Sequence, residues 1–211
     1  MSDTPREKIT TKIWRENPEP DNPFAAANCY CCGYDVYDDL LKNASYIDYL
    51  YLLFKQQQPT SEQSALLQGL AIALANPGPR DHSVRAAMSA GVGGSTHASA
   101  MIAAIAVGAG NLGGSREVFH ALEYWQQCQN SLEAWEQLIK QPPELGREDV
   151  WLPMEHAPGF DPNGVSCPTP VKQTLAYLAD IGKGTHLQWL NANRSALEEY
   201  AECPLAFSGV A

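Results

Sequence analysis

The sequence predicts a mostly α-helical fold, and three observations carry that prediction. Apolar residues recur at helical spacing from about Ser45 onward. Proline and glycine separate these stretches where helix ends are expected. Strict alternation of apolar and polar residues, which is typical of a half-buried strand, is weak throughout. The 211 residues suffice for one domain with a buried core, or for one large domain with a small lobe.

The net charge of the chain restricts its partners. It carries 24 acidic and 14 basic residues, a formal net charge of −10. Nucleic acids and anionic membranes are bound mainly through clustered lysine and arginine, so neither is expected as a partner. The most apolar run, Ala98 to Ala109, is shorter than the roughly 20 residues that a membrane-spanning helix needs.

The amino terminus and the cysteines indicate a compartment. Residues Met1 to Glu16 are polar and lack the apolar segment of a secretory signal. Six cysteines in a chain of this length are then expected to be reduced thiols rather than a disulfide framework. These observations predict a cytoplasmic protein.

The first 24 residues are predicted to form a strand and an arm, ahead of a helical domain over 25–211. Lys8 to Trp14 alternates loosely enough for a short strand, and the proline-rich stretch Asn17 to Pro23 predicts an extended arm.

Three cysteines, Cys29, Cys31 and Cys32, fall within four positions. Such a cluster is compatible with a metal site, but a tetrahedral site needs about four ligands, and no second Cys or His pair follows at the required spacing. Thiols packed in a turn are the alternative, and no metal is expected.

Two helices are predicted in the first half of the chain. Ser45 is placed to cap the first. Its apolar residues at helical spacing are Ile47, Leu50, Tyr51 and Phe54. Thr60 and Gln63 have the spacing of a capping box, which opens a second helix that runs to Leu74 and stops at Asn76-Pro77.

The central part of the chain predicts three more helices. A short helix covers His82 to Ala90 and ends at Gly91, and a helix of small residues covers Thr96 to Val107. Ser115 is predicted to cap the next helix, with Glu117 in its first turn, where a carboxylate interacts favourably with the helix dipole.

The last part of the chain predicts three further helices. Asn130 and Glu133 have capping-box spacing for a helix through Leu138, which the stretch Pro142 to Gly146 breaks. Thr169 is predicted to cap a helix with Pro170 at its first position, running to Gly182. The final helix is predicted from about Thr185 to Glu202.

Several short motifs, taken in order, resemble those of citrate synthases, and most of all those of citryl-CoA lyases and the lyase module of ATP-citrate lyase. They are Gly33 to Asp38, Pro59-Thr60, Ala75 with Gly78-Pro79, Gly113-Gly114 with Glu117-Val118, Pro158-Gly159-Phe160 and Ser208-Gly209-Val210. The resemblance spans about Lys8 to Ala211, where relatives continue for further helices. It implies a citrate-synthase-like fold with a small lobe and a dimer built from central helices.

The resemblance also implies chemistry on a coenzyme A thioester, but the family's catalytic positions are altered. Pro77 and Pro162 stand where the family has its two catalytic histidines, and Leu205 stands where it has an aspartate. Leu112 replaces a further histidine, and Cys32 an arginine. Between Pro162 and Pro170 there is also no arginine of the kind that holds a dicarboxylate in the family, so a citrate or oxaloacetate substrate is not expected.

Four titratable residues remain as catalytic candidates in loops that the resemblance places around a cleft. Asp161 lies one position from the lost histidine, and His156 is five residues upstream, close enough in sequence to pair with it. His82, with Asp81 beside it, is the other acid–base candidate. The alternative for His82 is a solvent-exposed histidine at the start of a helix.

The resemblance implies that coenzyme A is held mainly by main-chain groups of two loops. The residues carried over for this role are Gly113, Gly114, Pro158, Gly159 and Phe160. Because main-chain recognition tolerates side-chain change, acyl-CoA binding is expected to outlast the loss of the catalytic residues.

Two functions follow as expectations. The first is a citryl-CoA lyase-like enzyme of the lyase or acyltransferase class, which cleaves or hydrolyses an acyl-CoA other than citryl-CoA. The second is a catalytically inactive subunit, a pseudoenzyme that binds or regulates an active paralogue. The expected partners are an acyl-CoA ligand and a second chain, in a homodimer or in a hetero-oligomer with a related chain.

Overall fold

The computed structural model describes residues 10–142 and 154–211. In these ranges the chain forms nine α-helices and one three-stranded sheet, so the predicted mostly helical fold is confirmed. The chain divides into two compact units, Met1–Gln68 and Gly69–Ala211. Among the described residues, no helix combines the length and apolar character needed to cross a membrane.

The sheet lies in the first unit and is antiparallel, in the order β1-β2-β3. Its strands are β1 (Trp14–Pro18), β2 (Ala26–Cys31) and β3 (Tyr34–Asp35). Trp14 pairs with Cys31, and the register shifts between Asn17 and Pro18. The predicted boundary between residues 24 and 25 falls in the connection between the paired strands β1 and β2.

The predicted strand at Lys8 to Trp14 is wrong in its position. Lys8 and Ile9 lie outside the described residues, and the chain reverses over the next residues instead of extending. The Thr11 amide donates to the Trp14 carbonyl at 2.6 Å, and the Trp14 amide donates to the Thr11 hydroxyl at 2.9 Å. This turn delays the strand until Trp14.

The core of the first unit consists of Cys31, Leu40 and Leu52, against which Trp14, Tyr34 and Tyr49 pack in part. Cys29 and Cys31 are buried in β2, which corrects the prediction that the thiols pack in a turn; only Cys32 lies in the turn to β3. Position 29 and position 31 share one face of the strand because side chains alternate with a period of two.

The helical part of the first unit begins with a π-turn (Val36–Leu40) followed by α1 (Leu41–Asn43). The predicted Ser45 cap is confirmed for α2 (Tyr46–Lys55), where Ser45 and Asp48 form a reciprocal capping box.

The second predicted capping box is also present. The Thr60 amide donates to Gln63 Oε1 at 2.9 Å, and the Gln63 amide donates to Thr60 Oγ1 at 3.2 Å. The helix that follows, α3 (Ser61–Leu74), begins in the first unit and ends in the second. It stops two residues before Asn76-Pro77, as the proline signal predicts.

The second unit continues with six helices and a terminal 3₁₀ turn. They are α4 (His82–Val92), α5 (His97–Gly108), α6 (Ser115–Cys128), α7 (Leu132–Lys140), α8 (Thr169–Ile181), α9 (His186–Ala201) and the 3₁₀ turn Phe207–Gly209. Its core is formed by buried side chains of α6 to α9, among them Tyr124, Trp135, Leu175 and Leu190. The ring of Trp125 meets those of Trp135 and Trp189 edge to face.

Three predicted helix starts are wrong by one residue. The N-cap of α6 is Gly114 rather than Ser115. Ser131, not Asn130, caps α7 by accepting from the Ala134 amide. Asn130 is occupied elsewhere, because its Oδ1 lies 2.6 Å from His186 Nδ1.

The third of these starts is that of α8. The N-cap is Pro168, so Thr169 is the first helical residue and Pro170 the second. This arrangement is favourable because a proline in the first turn removes an amide that would have no partner within the helix. The predicted break at Pro142 to Gly146 lies outside the described residues from residue 143 onward.

The helices α4 and α5 follow one another and pack side by side. Gly91 does not end α4, which continues to Val92. Neither helix contains a buried residue, although nine of the twelve residues of α5 are alanine, isoleucine, methionine or valine. The small side chains permit the close approach of the two helices. The larger apolar side chains of the same helices remain exposed.

Candidate functional site

A buried carboxylate at the start of α6 joins two loops of the second unit. Glu117 is 1% exposed. Its Oε2 accepts a short hydrogen bond from the Gly113 amide, and its Oε1 accepts one from the Gly159 amide at 3.0 Å. A buried carboxylate is costly unless it is paired and hydrogen-bonded, and these two amides meet that need.

His156 lies beside the same carboxylate. Its Nε2 is 3.2 Å from Glu117 Oε1, and the two side chains are 9% and 1% exposed. An ionised carboxylate can only accept, so Nε2 carries the hydrogen that is donated to Glu117. In the neutral ring, Nδ1 is then the nitrogen with the lone pair and can take up a proton.

The hydrogen bonds at Glu117 keep it ionised. Burial alone would raise the pKa of Glu117, but the hydrogen bonds from His156, Gly113 and Gly159, together with the charge of His156, outweigh burial and lower the pKa. Glu117 therefore acts as a fixed negative group that orients the His156 ring, and not as a proton donor near neutral pH.

The loop that carries His156 is held by the end of the chain. The Asp161 amide donates to the Pro204 carbonyl at 2.8 Å, and the Ala206 amide donates to the Gly159 carbonyl at 2.9 Å. Phe160 forms an isolated bridge with Leu205, and both side chains are 2% exposed. The segment after α9 thus fixes the 157–161 loop from one side, while Glu117 fixes it from the other.

Comparison with solved structures identifies the fold of this chain. No protein-family model matches the chain, and no curated protein sequence matches it. Among solved structures, citryl-CoA lyase from Hydrogenobacter thermophilus aligns with a TM-score of 0.65 and 18% identity, over 96% of this chain and 73% of that chain.

Two further solved structures are ATP citrate lyases. One, from Methanothrix soehngenii in complex with citrate and coenzyme A, has a TM-score of 0.68 and 13% identity. The other, a mutant from Methanosaeta concilii in complex with (3S)-citryl-CoA, has a TM-score of 0.69 and 12% identity. Both alignments cover 96% of this chain and 31% of the lyase chain. This chain has the citryl-CoA lyase fold.

Two of the positions that the resemblance matches to catalytic residues of the family, Leu205 and Pro162, have structural surroundings in this chain. Leu205 is buried, and its main chain forms the isolated bridge with Phe160. Pro162 belongs to the turn that Asp161 closes, in which Asp161 Oδ1 accepts from the Asn163 amide at 2.9 Å. These positions hold the loop in place and supply no titratable group.

The predicted pairing of His156 with Asp161 is not the one that the structure forms. The hydrogen bond of His156 goes to Glu117, and that of the Asp161 carboxylate goes to the Asn163 amide. The intervening turn explains the difference, because the Phe160 amide donates to the Ala157 carbonyl and Gly159 adopts a φ of +89°. Asp161 is nevertheless partly exposed and stays a catalytic candidate.

Asp81 and His82 lie at the start of α4, and Asp81 is its N-cap. Asp81 Oδ1 accepts from the amides of Ser83 at 2.9 Å and Val84 at 3.0 Å. Burial would raise the pKa of Asp81, but hydrogen bonds from Ser83 and Val84 lower it overall. The His82 side chain is exposed, as expected for the alternative of a histidine at a helix start. Their catalytic role stays a prediction.

The five residues predicted to bind coenzyme A have different environments. Gly113 is exposed, with a φ of +70° and open space where a Cβ would stand. Gly114 is buried, and a Cβ there would lie 2.5 Å from the Gly110 carbonyl oxygen. Pro158, Gly159 and Phe160 are buried as well. Gly113 is thus the exposed member of the set, although its amide already donates to Glu117.

Sequence reasoning missed the part that Glu117 plays and did not consider Arg116. The sequence predicts a helix-dipole role for Glu117, and Glu117 does lie in the first turn of α6, but its carboxylate also joins two loops. Arg116 is half-buried beside Gly113-Gly114, with its guanidinium 5.5 Å from the centre of the Phe119 ring. The available signal was the placement of Arg-Glu directly after Gly-Gly-Ser.

The described residues contain no group of three or more His, Cys, Asp or Glu side chains placed to hold a metal ion. This site offers an oriented imidazole, a partly exposed carboxylate five residues further along the same loop, and a glycine loop at the start of a helix.

Proposed function

We propose that this chain binds a coenzyme A thioester at the Gly113-Gly114 loop and acts on it with His156 as general acid and base. The substrate is an acyl-CoA other than citryl-CoA, and the reaction is cleavage of a carbon–carbon bond or hydrolysis of the thioester. The observation that carries this proposal is the hydrogen bond from His156 to the buried Glu117, because a fixed partner is what orients a catalytic imidazole.

The choice of coenzyme A rests on the fold. Solved proteins with this fold include complexes with coenzyme A and with (3S)-citryl-CoA. In this chain the exposed Gly113 adjoins the N-terminus of α6 and Arg116 in sequence, and the helix terminus and the arginine cation each favour an anionic ligand. The absence of an arginine between Pro162 and Pro170 argues against citrate as the acyl part.

The proton transfers fit the residues present. In cleavage of a β-hydroxyacyl-CoA, a base removes the hydroxyl proton, the bond between the α and β carbons breaks, and the enolate of the thioester takes up a proton at its α carbon. His156 Nδ1 is the base in our proposal, and Asp161, five residues away in the same loop, assists in the second transfer. Hydrolysis would use the same base on a water molecule.

Binding is tested by thermal shift and isothermal titration with coenzyme A, acetyl-CoA and β-hydroxyacyl-CoA esters. We expect a rise in melting temperature that grows with ester concentration, because a ligand that binds only the folded state stabilises it. No heat and no shift with any ester would overturn the proposal.

Turnover is tested by chromatographic detection of released coenzyme A and of the acyl products. His156→Gln keeps a side-chain N–H for Glu117 but removes the titratable ring, so we expect the rate to fall by at least about 100-fold with ester binding retained. His186→Gln, at a histidine on α9, is the matched control.

Asp161→Ala should also abolish turnover, and an unchanged rate would remove Asp161 from the mechanism.

The alternative function is an inactive subunit of a larger assembly. Loss of all three family catalytic positions favours it, as do the apolar side chains exposed on α4 and α5. Native mass spectrometry separates the two functions: a subunit would bind a related chain with intact histidines and give no turnover alone. Turnover by the isolated chain would exclude the inactive role.

We further propose that a second copy of this chain covers α4 and α5. The two helices carry a single charged residue, Arg85, so an interface between copies would bring no like charges together apart from this one. Symmetric pairing of identical surfaces is the commonest form of oligomer.

The six cysteines are free thiols, which supports a reducing compartment such as the cytoplasm.

A further inference from the structure

Two adjacent cysteines at the end of β2 have their sulfur atoms close together. Cys31 Sγ and Cys32 Sγ are 4.0 Å apart. Cys31 is fully buried, whereas Cys32 is only half-buried. Cys32 has a φ of +50°, a left-handed conformation that residues other than glycine seldom adopt. The end of β2 and the turn that follows it therefore hold two thiols side by side at different depths.

Cys32 is accessible through a surface cavity. The cavity has a volume of about 330 Å³, and its lining includes Cys32, Trp14, Tyr30 and Gln56. Cys31 does not belong to the lining. A small reagent that enters this cavity therefore meets the Cys32 thiol first.

We propose that Cys31 and Cys32 form a redox-active dithiol that is oxidised by low-molecular-weight disulfides such as oxidised glutathione. Cys32 is the attacking thiol, and Cys31 is the resolving thiol. This site lies in the first unit and is independent of the proposed acyl-CoA function.

The reaction proceeds in two exchanges. The Cys32 thiolate attacks one sulfur of the small disulfide, which gives a mixed disulfide on Cys32 and releases one small thiolate. The Cys31 thiolate then attacks the Cys32 sulfur, forms the Cys31–Cys32 disulfide and releases the second small thiolate. Two protein thiols are oxidised, one small disulfide is reduced to two thiols, and both protein protons go to solvent or to the released thiolates.

The environment of Cys31 supports its role in the second step. Burial, and after it the neighbouring Cys32 thiol, raises the pKa of Cys31, whereas a hydrogen bond with Tyr49 from α2 lowers it in part. When Cys32 is held in a mixed disulfide, it can no longer carry the charge that opposes ionisation of Cys31. The first exchange thus favours the second.

The product is expected to be easily reduced. Neighbouring Cα atoms are about 3.8 Å apart across a trans peptide, which is shorter than the roughly 4.4–6.8 Å of ordinary disulfides. Strained disulfides are the labile ones. Oxidation would also end the contact from Cys32 Sγ to the Leu52 carbonyl, now 3.7 Å, which links this turn to α2.

The experiment treats the full-length reduced protein with oxidised glutathione at about pH 8, where thiolates are accessible, and follows intact mass and peptide maps. We expect a loss of two hydrogens and a disulfide within the peptide that contains both cysteines, reversed by a mild thiol reductant. Cys31→Ala should instead retain one glutathione on Cys32, and Cys32→Ser should give neither product at this turn.

Cys128→Ala, at a buried cysteine of α6, is the matched control and should react like the wild type. Circular dichroism establishes that each variant is folded, and the wild-type peptide map decides the question without any variant. A stable glutathione adduct on wild-type Cys32, or a map in which other cysteines react and this pair stays reduced, would overturn the proposal.

Discussion

At the scale of single residues, Glu117 concentrates three interactions on one buried carboxylate. It accepts from two loop amides and from His156, and its exposed fraction is 1%. Desolvation of a charge costs free energy, and only a full set of donors offsets that cost. The loops that flank the proposed site therefore depend on the ionised state of one side chain.

The first prediction concerns Glu117→Gln. The glutamine side chain places an NH₂ group where one carboxylate oxygen stood. The main-chain amide of Gly113 or of Gly159 then loses its acceptor and faces another donor. We expect the free energy of unfolding to fall by about 1–3 kcal/mol, measured by urea denaturation. Glu123→Gln, at a partly exposed glutamate of the same helix, should change it by less than about 0.5 kcal/mol. Equal losses would show that burial of Glu117 does not matter.

The second prediction concerns pH. Burial alone would raise the pKa of Glu117, but its hydrogen bonds lower it below the ordinary value of 4.5. The stabilising contribution is therefore present above that value and is lost as the pH falls through it toward the folded-state pKa. Between about pH 6 and pH 4, urea denaturation should give a steeper fall for the wild type than for Glu117→Gln. Parallel curves would contradict this.

The sequence predicts hydrogen-bond partners of single residues only where the two partners are close together in the chain. The Ser45–Asp48 and Thr60–Gln63 caps were foreseeable in position because donor and acceptor are three residues apart. The partners of Glu117 at His156 and Gly159 lie 39 and 42 residues further on. No local spacing rule reaches that far, so the most consequential residue of the site was foreseen only as part of a helix terminus.

At the scale of elements, helices were predictable and strands were not. The 3.6-residue period and proline stops gave the helices, with errors of one residue at caps such as Gly114 and Ser131. The strand β2 carries mostly small residues and buries only Cys29 and Cys31, so its alternation is weak. Its identity depends on pairing with β1, which a period within one segment does not reveal.

The third prediction tests the contact between two glycines that fixes the His156 loop. A Cβ on Gly159 would stand 2.8 Å from Gly209 Cα, and Gly159 already has a φ of +89°. Gly159→Ala should therefore lower the free energy of unfolding by about 2 kcal/mol or more, measured by urea denaturation. The new Cβ would meet main-chain atoms of Gly209, so rearrangement of a flexible side chain cannot relieve the clash.

Gly91→Ala is the matched control for that substitution. Gly91 lies within α4, and a Cβ there meets nothing within 4 Å. Alanine is the better helix former, so we expect a gain of about 0.5–1 kcal/mol in the same measurement. If both variants lost stability equally, the loss at Gly159 would not reflect its contact with Gly209.

At the scale of the whole molecule, the distribution of apolar surface is uneven. The second unit buries its core among α6 to α9, while α4 and α5 leave Met88, Val92, Met101, Ile102 and Ile105 more than half exposed. Exposed apolar patches of this kind mark interaction surfaces in natural proteins. The surface thus supports the proposed second copy, which would bury what one chain leaves exposed.

The last prediction follows from that surface. Ile105, on α5, is 66% exposed, so Ile105→Glu should leave the fold of one chain intact. In a symmetric interface between two copies, the substitution places a negative charge on each copy, and both charges are then buried. Sedimentation velocity should give a dimer for the wild type and a monomer for the variant. Val165→Glu puts the same charge on a fully exposed loop residue and should stay dimeric. A monomeric wild type would exclude the homodimer and direct attention to a related chain, whereas a dimeric Ile105→Glu would place the interface on another surface.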